Sequence, residues 1–405
     1  MPDSRFFSAP YGTQSPYSCG KHLFFISACL TFVAMGFFES VYKPLAVAAV
    51  LGGVYLIMAW QRAGRPALPA VILLPVVFAI YIAILPGWPA FPDMILGDIA
   101  LEMYVLGLAL AVFFPQRAHI PPLFLVVCIC GIFFYWLFAS PPSFMFGGYR
   151  LQLRFNHPNV LGLMASWCLV FLICAWRQLP RRAVFFFAAA ACCLGVAILL
   201  THGRSTYLSI LLTILGSCFL VPWKTFRKVF LIGMACWLLG YGALLIGGHD
   251  RLLPDVKQLA QEQSMQTRIT YWEAAMDGFY AAPVTGLGHG TYGVYLDRYL
   301  DENYPEIKER PHYAHNMYVD VLYSWGLIGT VLLLAAFVPA VAEARRRREY
   351  FLPLSVLLML GHGFFDSSLH TKAGLMVLFV PLGMLWGQRL AEILAVEPSS
   401  QYPPQ

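Results

Sequence analysis

The chain reads as an all-α integral membrane protein of about 12 transmembrane helices, with one large outer loop containing short helices between spans 9 and 10. Three observations predict this. Its 405 residues are 59% hydrophobic and only 12% charged, with a mean hydropathy of +0.66, far outside the soluble range. Apolar runs of about 17 to 25 residues, long enough to cross a bilayer, recur from end to end. The basic residues behind the net charge of +6 fall in short clusters between those runs, so they report topology and not a nucleic-acid surface.

The runs lie near residues 22–38, 43–60, 67–86, 95–114, 119–139, 158–176, 183–200, 206–222, 229–247, 316–342, 351–366 and 373–394. With the N-terminus inside, the inner links hold Arg62 and Arg65, Arg117, Arg177 with Arg181 and Arg182, Lys224 with Arg227 and Lys228, and Arg345 to Arg348. The short outer links hold little besides Lys43, Arg204 and Lys372. This is the positive-inside pattern, and it places both termini in the cytoplasm. The first run is too long for a cleaved signal peptide and lacks a small-residue cleavage site. The ten cysteines show no CxxC pair and no Cys/His metal spacing, and read as small lipid-compatible residues. Without repeats or linkers, residues 1–405 form a single polytopic domain, 248–315 its outer loop and 396–405 a disordered cytoplasmic tail. Within the loop, Asp255 to Tyr280 predicts one or two amphipathic helices with Met265, Ile269, Trp272 and Met276 on one stripe. Pro283 and the Gly286, Gly288, Gly290 cluster end them.

In this orientation the outer cations run against the topological preference and ask for an anion. Arg154 precedes the sixth run in RFNHPN, Arg204 sits in the one-turn link THGRS, and Arg268 lies in TRxxxW. A guanidinium donates paired hydrogen bonds to phosphate oxygens, so the sharp reading is a phosphate site. The bland readings are a solvated or headgroup-contacting Arg150, and Asn156 and Asn159 as caps for the span begun by Pro158. His315, in AHN at the return to the membrane, has the side chain suited to proton removal near neutral pH. Tyr318 shares its helical face at i+3, and Asn316 is placed to cap the helix. His312 is the weaker alternative.

Other groups read as structural. His362 and Asp366 have metal-ligand spacing, but with no nearby Cys or second carboxylate they read as a hydrogen-bonded pair. GLGHG lacks the strand and the third glycine of a phosphate loop, so its glycines read as turns that position His289. Asp98 and Glu102 read as a buried i, i+4 pair. No paired carboxylates stand on the outer face to hold a divalent ion.

Together the twelve runs, the outer loop, Gly-Arg-Ser at Arg204, Thr267-Arg268-x-x-x-Trp272, the glycine repeat and Ala-His315-Asn316 resemble the O-antigen ligases. These belong to the wider superfamily of O-antigen polymerases, ligases and protein O-oligosaccharyltransferases. The resemblance runs from about Arg154 to the end of the chain. It implies a GT-C-like, metal-independent glycosyltransferase of a Gram-negative inner membrane with no cofactor, acting as a monomer. Such an enzyme moves polysaccharide from undecaprenyl pyrophosphate to the lipid A-core on the periplasmic face, with inversion. Carried over residue by residue, it makes His315, Arg204 and Arg268 catalytic. Arg154, Asn156, Asn159, Trp272, His289 and Tyr318 would then contact the pyrophosphate or glycan.

The polymerase and the protein-modifying transferase share the same donor; the single large loop favours the ligase by analogy. A lipid-linked anion transporter would also place arginines in a membrane cavity, but should show internal repeats and polar helices at mid-membrane.

Overall fold

The computed structural model describes residues 18–38, 42–84, 96–115, 117–139, 142–146, 150–155, 157–175, 184–220, 263–288 and 290–395. Thirteen α-helices occupy most of these residues. They are α1 (Ser18–Phe38), α2 (Tyr42–Arg62), α3 (Ala70–Ile84), α4 (Leu96–Phe113), α5 (Ile120–Ala139), α6 (Pro158–Ala175), α7 (Val184–Leu200), α8 (Arg204–Leu220), α9 (Gln263–Ala281), α10 (Tyr292–Asn303), α11 (Met317–Arg347), α12 (Phe351–His362) and α13 (Lys372–Ala395). A two-residue antiparallel pairing, Met145–Phe146 (β1) against Arg150–Leu151 (β2), precedes α6. Every predicted run except the ninth coincides with a helix; the run near 229–247 lies outside the described residues.

Outside α9 and α10 the helices are largely apolar on all sides. Phe138 is 89% exposed and Phe219 85%, a surface that is tenable only against lipid. Six helices among the described residues are long and apolar enough to cross a membrane. The fold is that of a multi-pass membrane protein.

Without a hydrophobic force between helices in lipid, close packing falls to small residues. α4 and α13 touch backbone to backbone, since a Cβ at Gly107 would run into the carbonyl of Val380 and one at Gly383 into that of Tyr104. Gly162 of α6 lies on Thr206 of α8, and Gly361 of α12 on the backbone of Ser209. Trp167 of α6 donates its indole N–H to Ser355 of α12 at 3.1 Å. At the basic end, Arg347 of α11 bonds both oxygens of Glu392 of α13, at 2.6 and 2.9 Å.

The described part of the long loop, residues 263–288 and 290–315, folds as a cap around Tyr323 of α11. α10 buries Tyr292, Leu296 and Leu300, one per turn, and α9 buries Tyr271, Ala274 and Ala275. The stripe expected at Ile269, Trp272 and Met276 is therefore displaced: Ile269 is exposed and Trp272 and Met276 are half-buried. Small residues took the inner face because Gly278 must pass directly over the Tyr323 ring. Asp98, expected to be buried, is exposed in the first turn of α4, where a negative charge suits the helix N-terminus.

The glycine cluster mends a broken helix. α11 is interrupted at Gly326, with φ 58° and ψ −161°, a conformation essentially confined to glycine. An unbroken helix would bond Leu327 N–H to Tyr323 and Ile328 N–H to Ser324. Here Leu287 and Gly288 donate to the Tyr323 and Ser324 carbonyls at 2.8 and 3.0 Å, and Leu327 and Ile328 donate to Pro283 and Val284 at 2.9 and 3.1 Å. Four loop-to-helix bonds replace the two lost. The Tyr81 hydroxyl of α3 lies within reach of the Thr285 and Trp325 carbonyls, at 3.2 and 3.0 Å. The glycines thus serve to join cap to helix; His289, which they were expected to position, lies outside the described residues.

Gly326→Ala should cost about 1–3 kcal/mol from the backbone conformation alone, with a further clash against Gly286. The expected result is a lower thermal midpoint in detergent. Gly131→Ala, where a Cβ would meet nothing within 4 Å, should leave the midpoint at or above wild type.

Candidate active site

The site is built around five residues, Gly363 to Ser367, that follow α12. α12 has only 12 residues and rises about 18 Å from the arginine cluster before it, well short of the ~30 Å hydrocarbon thickness. The span expected over 351–366 stops at His362 because the polar partners of its last carbonyls come from other elements.

Gly363 accepts from the Met317 N–H at 2.8 Å, and Phe364 from the Asn316 amide at 3.4 Å. Phe365 accepts from Arg268 Nη1 at 2.9 Å. The Asp366 carboxylate accepts from Asn159 Nδ2 at 2.8 Å and from the Ser367 N–H at 2.9 Å. Ser367 donates to Asp320 through a very short contact. Asn159 is in turn gripped by Arg150 Nη2 at 2.8 Å, while Arg150 Nε donates to the Thr201 carbonyl at 2.9 Å. Arg150 is thus an internal strut and not the solvated arginine its position suggested.

His362 ties the ends of three segments together. Its Nε2 lies 3.2 Å from the Asn159 carbonyl and 3.3 Å from Ser205 Oγ, and its Nδ1 lies 2.5 Å from Ser368 Oγ. A carbonyl only accepts, so Nε2 carries the proton and Nδ1 accepts from Ser368. His362 and Asp366 are therefore joined through Asn159 and not bonded to each other as the spacing suggested. The N-termini of α6, α8 and α11 meet here, at Asn159, Ser205 and Met317. Each contributes a partial positive charge of roughly half a unit.

His315 has φ 55°, a left-handed conformation that is costly for a non-glycine residue and found where surroundings over-determine it. Two such residues stand in the neighbouring links, Leu153 at 53° and His202 at 48°. Among the described residues the His315 ring makes no hydrogen bond, which leaves it open to a substrate proton. Burial holds its pKa below the ordinary value; Arg268 pushes the same way, while Asp366 and Glu309 pull it back up. Burial also drives His157 down to about 4, with Asp366 opposing and Arg150, His315 and Arg268 assisting. For Asp366, burial favours the neutral acid, but His362, His315, the Asn159 bond and His157 outweigh it and hold the pKa below the usual carboxylate range. The result is an ionised carboxylate among neutral imidazoles, a combination in which the carboxylate stabilises any imidazolium that forms.

The structure brings His315, Arg268 and Asn159 onto this loop. Arg204 opens α8, half-buried and one residue from the Ser205 that meets His362. Arg154 faces α5, its guanidinium carbon 4.9 Å from the Phe144 ring centre, beside a cavity of about 230 Å³ lined also by Gly131, Ile132 and Tyr135. Tyr318 donates its hydroxyl to the Leu360 carbonyl at 2.6 Å, joining α11 to α12. Trp272, one turn after Arg268 on α9, packs in the cap with no partner for its buried indole N–H among the described residues. Asn156 and His289 lie outside the described residues. Asn316 caps α11 as expected, accepting from Tyr318 and Val319 N–H at 2.9 and 3.4 Å. Among the described residues no group of three His, Cys, Asp or Glu side chains is disposed to hold a metal ion.

Sequence reasoning missed His157 and treated Asp366 as structural. Nothing in RFNHPN singles out its histidine. The signal for Asp366 was present as a carboxylate at the end of an apolar run, set among histidines that only folding gathers.

Residues 189–334 match the family model Wzy_C, O-antigen ligase, a stretch that contains Arg204, Arg268 and His315 but not Asp366. No curated protein matches the chain.

His157 titrates near 4 when folded and near 6.5 when unfolded, so between those values the unfolded chain binds the extra proton. Stability is then fully present above about pH 6.5 and falls as pH drops toward 4. Thermal melts from pH 7 to 5 should show a declining midpoint in wild type and a shallower decline in His157→Gln; equal slopes would refute the assignment.

Proposed function

We propose that this chain, a member of the O-antigen ligase superfamily, transfers polysaccharide from undecaprenyl pyrophosphate to the lipid A-core, in the periplasm of a Gram-negative cell. The observation that carries the reading is the loop at 363–367: His315 feels the charge of the buried, ionised Asp366, Arg268 bonds the Phe365 carbonyl, and the N-termini of α6, α8 and α11 come together there.

The acceptor hydroxyl attacks the anomeric carbon as the bond to the pyrophosphate oxygen breaks, inverting that centre. His315 takes the hydroxyl proton, and Asp366 offsets the charge of the resulting imidazolium. The departing pyrophosphate carries the bonding electron pair. Arg204 and Arg268, with the N-termini of α6, α8 and α11, receive its charge without a metal ion or other cofactor. Arg154, Asn156, Asn159, Trp272, His289 and Tyr318 are the candidates for contact with donor and glycan.

About 12 spans in a GT-C-like arrangement, an inner-membrane location and cytoplasmic termini complete the proposal. The loop at 248–315 is periplasmic, the tail from 396 is cytoplasmic, and the protein works as a monomer. The distribution of arginines supports the orientation, since Arg345 to Arg348 lie at the far end of α11 and α12 from the site.

The test is a reconstituted transfer assay in EDTA with an undecaprenyl-pyrophosphate-linked glycan. Lipid A-core, a serine-rich periplasmic protein and a second donor glycan compete as acceptors. Label on lipid A-core supports the ligase. Label on the protein or on the second donor keeps the chemistry and changes the acceptor, while intact donor moved across the bilayer without transfer overturns the enzyme reading. His315→Ala should lose about 10²–10⁴-fold in turnover, and Arg204→Ala or Arg268→Ala about 10²–10³-fold. Because His315 stays neutral below its ordinary value, wild-type turnover should be flat through neutral pH and fall only below about 6.5; an acid limb above that value would contradict its role as base.

A further inference from the structure

We propose that Asp320 is the positioning residue that sets His315 against Asp366. This rests on the transfer mechanism above and adds a residue to it. Asp320 lies in the first turn of α11 and is 1% exposed. A carboxylate so buried is costly unless hydrogen-bonded. Two of its bonds reach opposite ends of the site: one oxygen accepts from the Ala314 N–H at 3.0 Å, the other from the Ser367 hydroxyl, and the Asn316 N–H adds a further bond on the His315 side. Ala314 immediately precedes His315, and Ser367 immediately follows Asp366.

The two reacting groups are 51 residues apart in the chain, and neither is held by its own helix. His315 also has a left-handed backbone that needs support from both sides. Asn316 and the Met317–Gly363 bond supply one side; Asp320 supplies the other through Ala314. The same carboxylate draws in the segment that carries Asp366, so one side chain fixes both. The competing role is an ordinary first-turn acid complementing the helix dipole, which would affect stability and leave the reacting geometry alone.

Asparagine separates these roles. In Asp320→Asn the amide oxygen still accepts from Ala314, and the amide N–H₂ donates to the Ser367 oxygen, which is able to accept. Both struts survive without the charge. Asp320→Ala removes both, and Ser367→Ala removes one.

The experiment is the same transfer assay with purified full-length variants, measuring kcat and the KM for the lipid-linked donor. Displacement of a reacting group by about 1 Å costs about 10²-fold. Asp320→Ala is therefore expected to lose about 10²-fold in kcat and Ser367→Ala about tenfold, each with donor KM within about threefold of wild type. Asp320→Asn should restore kcat to within about threefold of wild type. If Asp320→Ala does not yield folded protein, the Ser367→Ala and Asp320→Asn values decide. Wild-type kcat in Ser367→Ala, or an inactive but folded Asp320→Asn, overturns the proposal. His315→Ala runs alongside: an active His315→Ala overturns the transfer mechanism itself, whereas an inactive one beside a fully active Asp320→Ala overturns only the role of Asp320.

Discussion

Everything around the site answers to one constraint: the five residues that follow α12, Gly363 to Ser367, carry carbonyls that no helix pairs, and a buried peptide group left unpaired is costly. Each must be satisfied by protein. The backbone carbonyls are taken by the N-terminus of α11, the Asn316 amide and Arg268, and the side chains of Asp366 and Ser367 by Asn159 and Asp320. The requirement that backbone be paired thus assembles, around one short loop, residues drawn from α6, α9, α11 and the link that carries His315. Irregular backbone in a membrane protein is tolerated where protein groups satisfy it, and here those groups include three of the residues of the proposed site.

A second irregularity follows the same rule. α11 breaks at Gly326, and the loop at 283–288 supplies the four bonds that the break demands. The break and the shortness of α12 are coupled through α11, whose first turn holds the site loop while its later part runs down to the basic cluster. The cap that carries Arg268 is therefore attached twice: through the glycine loop, and through Arg268 itself on Phe365. An arginine that already carries a structural bond is preorganised for the anion-binding role proposed for it, since part of its ordering cost is met beforehand.

The electrostatics are arranged to resist themselves. Three helix N-termini and the arginines would by themselves favour anions and disfavour any protonated histidine. Asp366 supplies a compensating negative charge, held ionised by the histidines and by Asn159, which stabilises an imidazolium beside it. In the proposed reaction, neutral imidazoles beside a fixed carboxylate form a base that rests uncharged and becomes charged only as reaction proceeds, which confines the electrostatic gain to the transition state.

How much of this the residues announce by themselves depends on the range of the physics involved. Hydropathy acts over a contiguous run of residues, so the apolar runs, their helical character and the multi-pass class were legible, as was the Asn316 cap, which concerns residues two and three positions away. Arg204, Arg268 and His315 were legible as chemistry out of place in an apolar chain. The end of α12 was not, because the carbonyls there are taken up by partners 42 to 97 residues away. Neither was the buried face of α9, decided by how closely Gly278 passes Tyr323, nor the roles of Arg150, His157 and Asp366, which depend on neighbours that the chain brings together only on folding. Composition and periodicity alone determined that this is a helical membrane protein with unusual outer cations. Tertiary structure decided which of those groups meet, because hydrogen bonds and desolvation act over a few ångströms in space and are indifferent to distance along the chain.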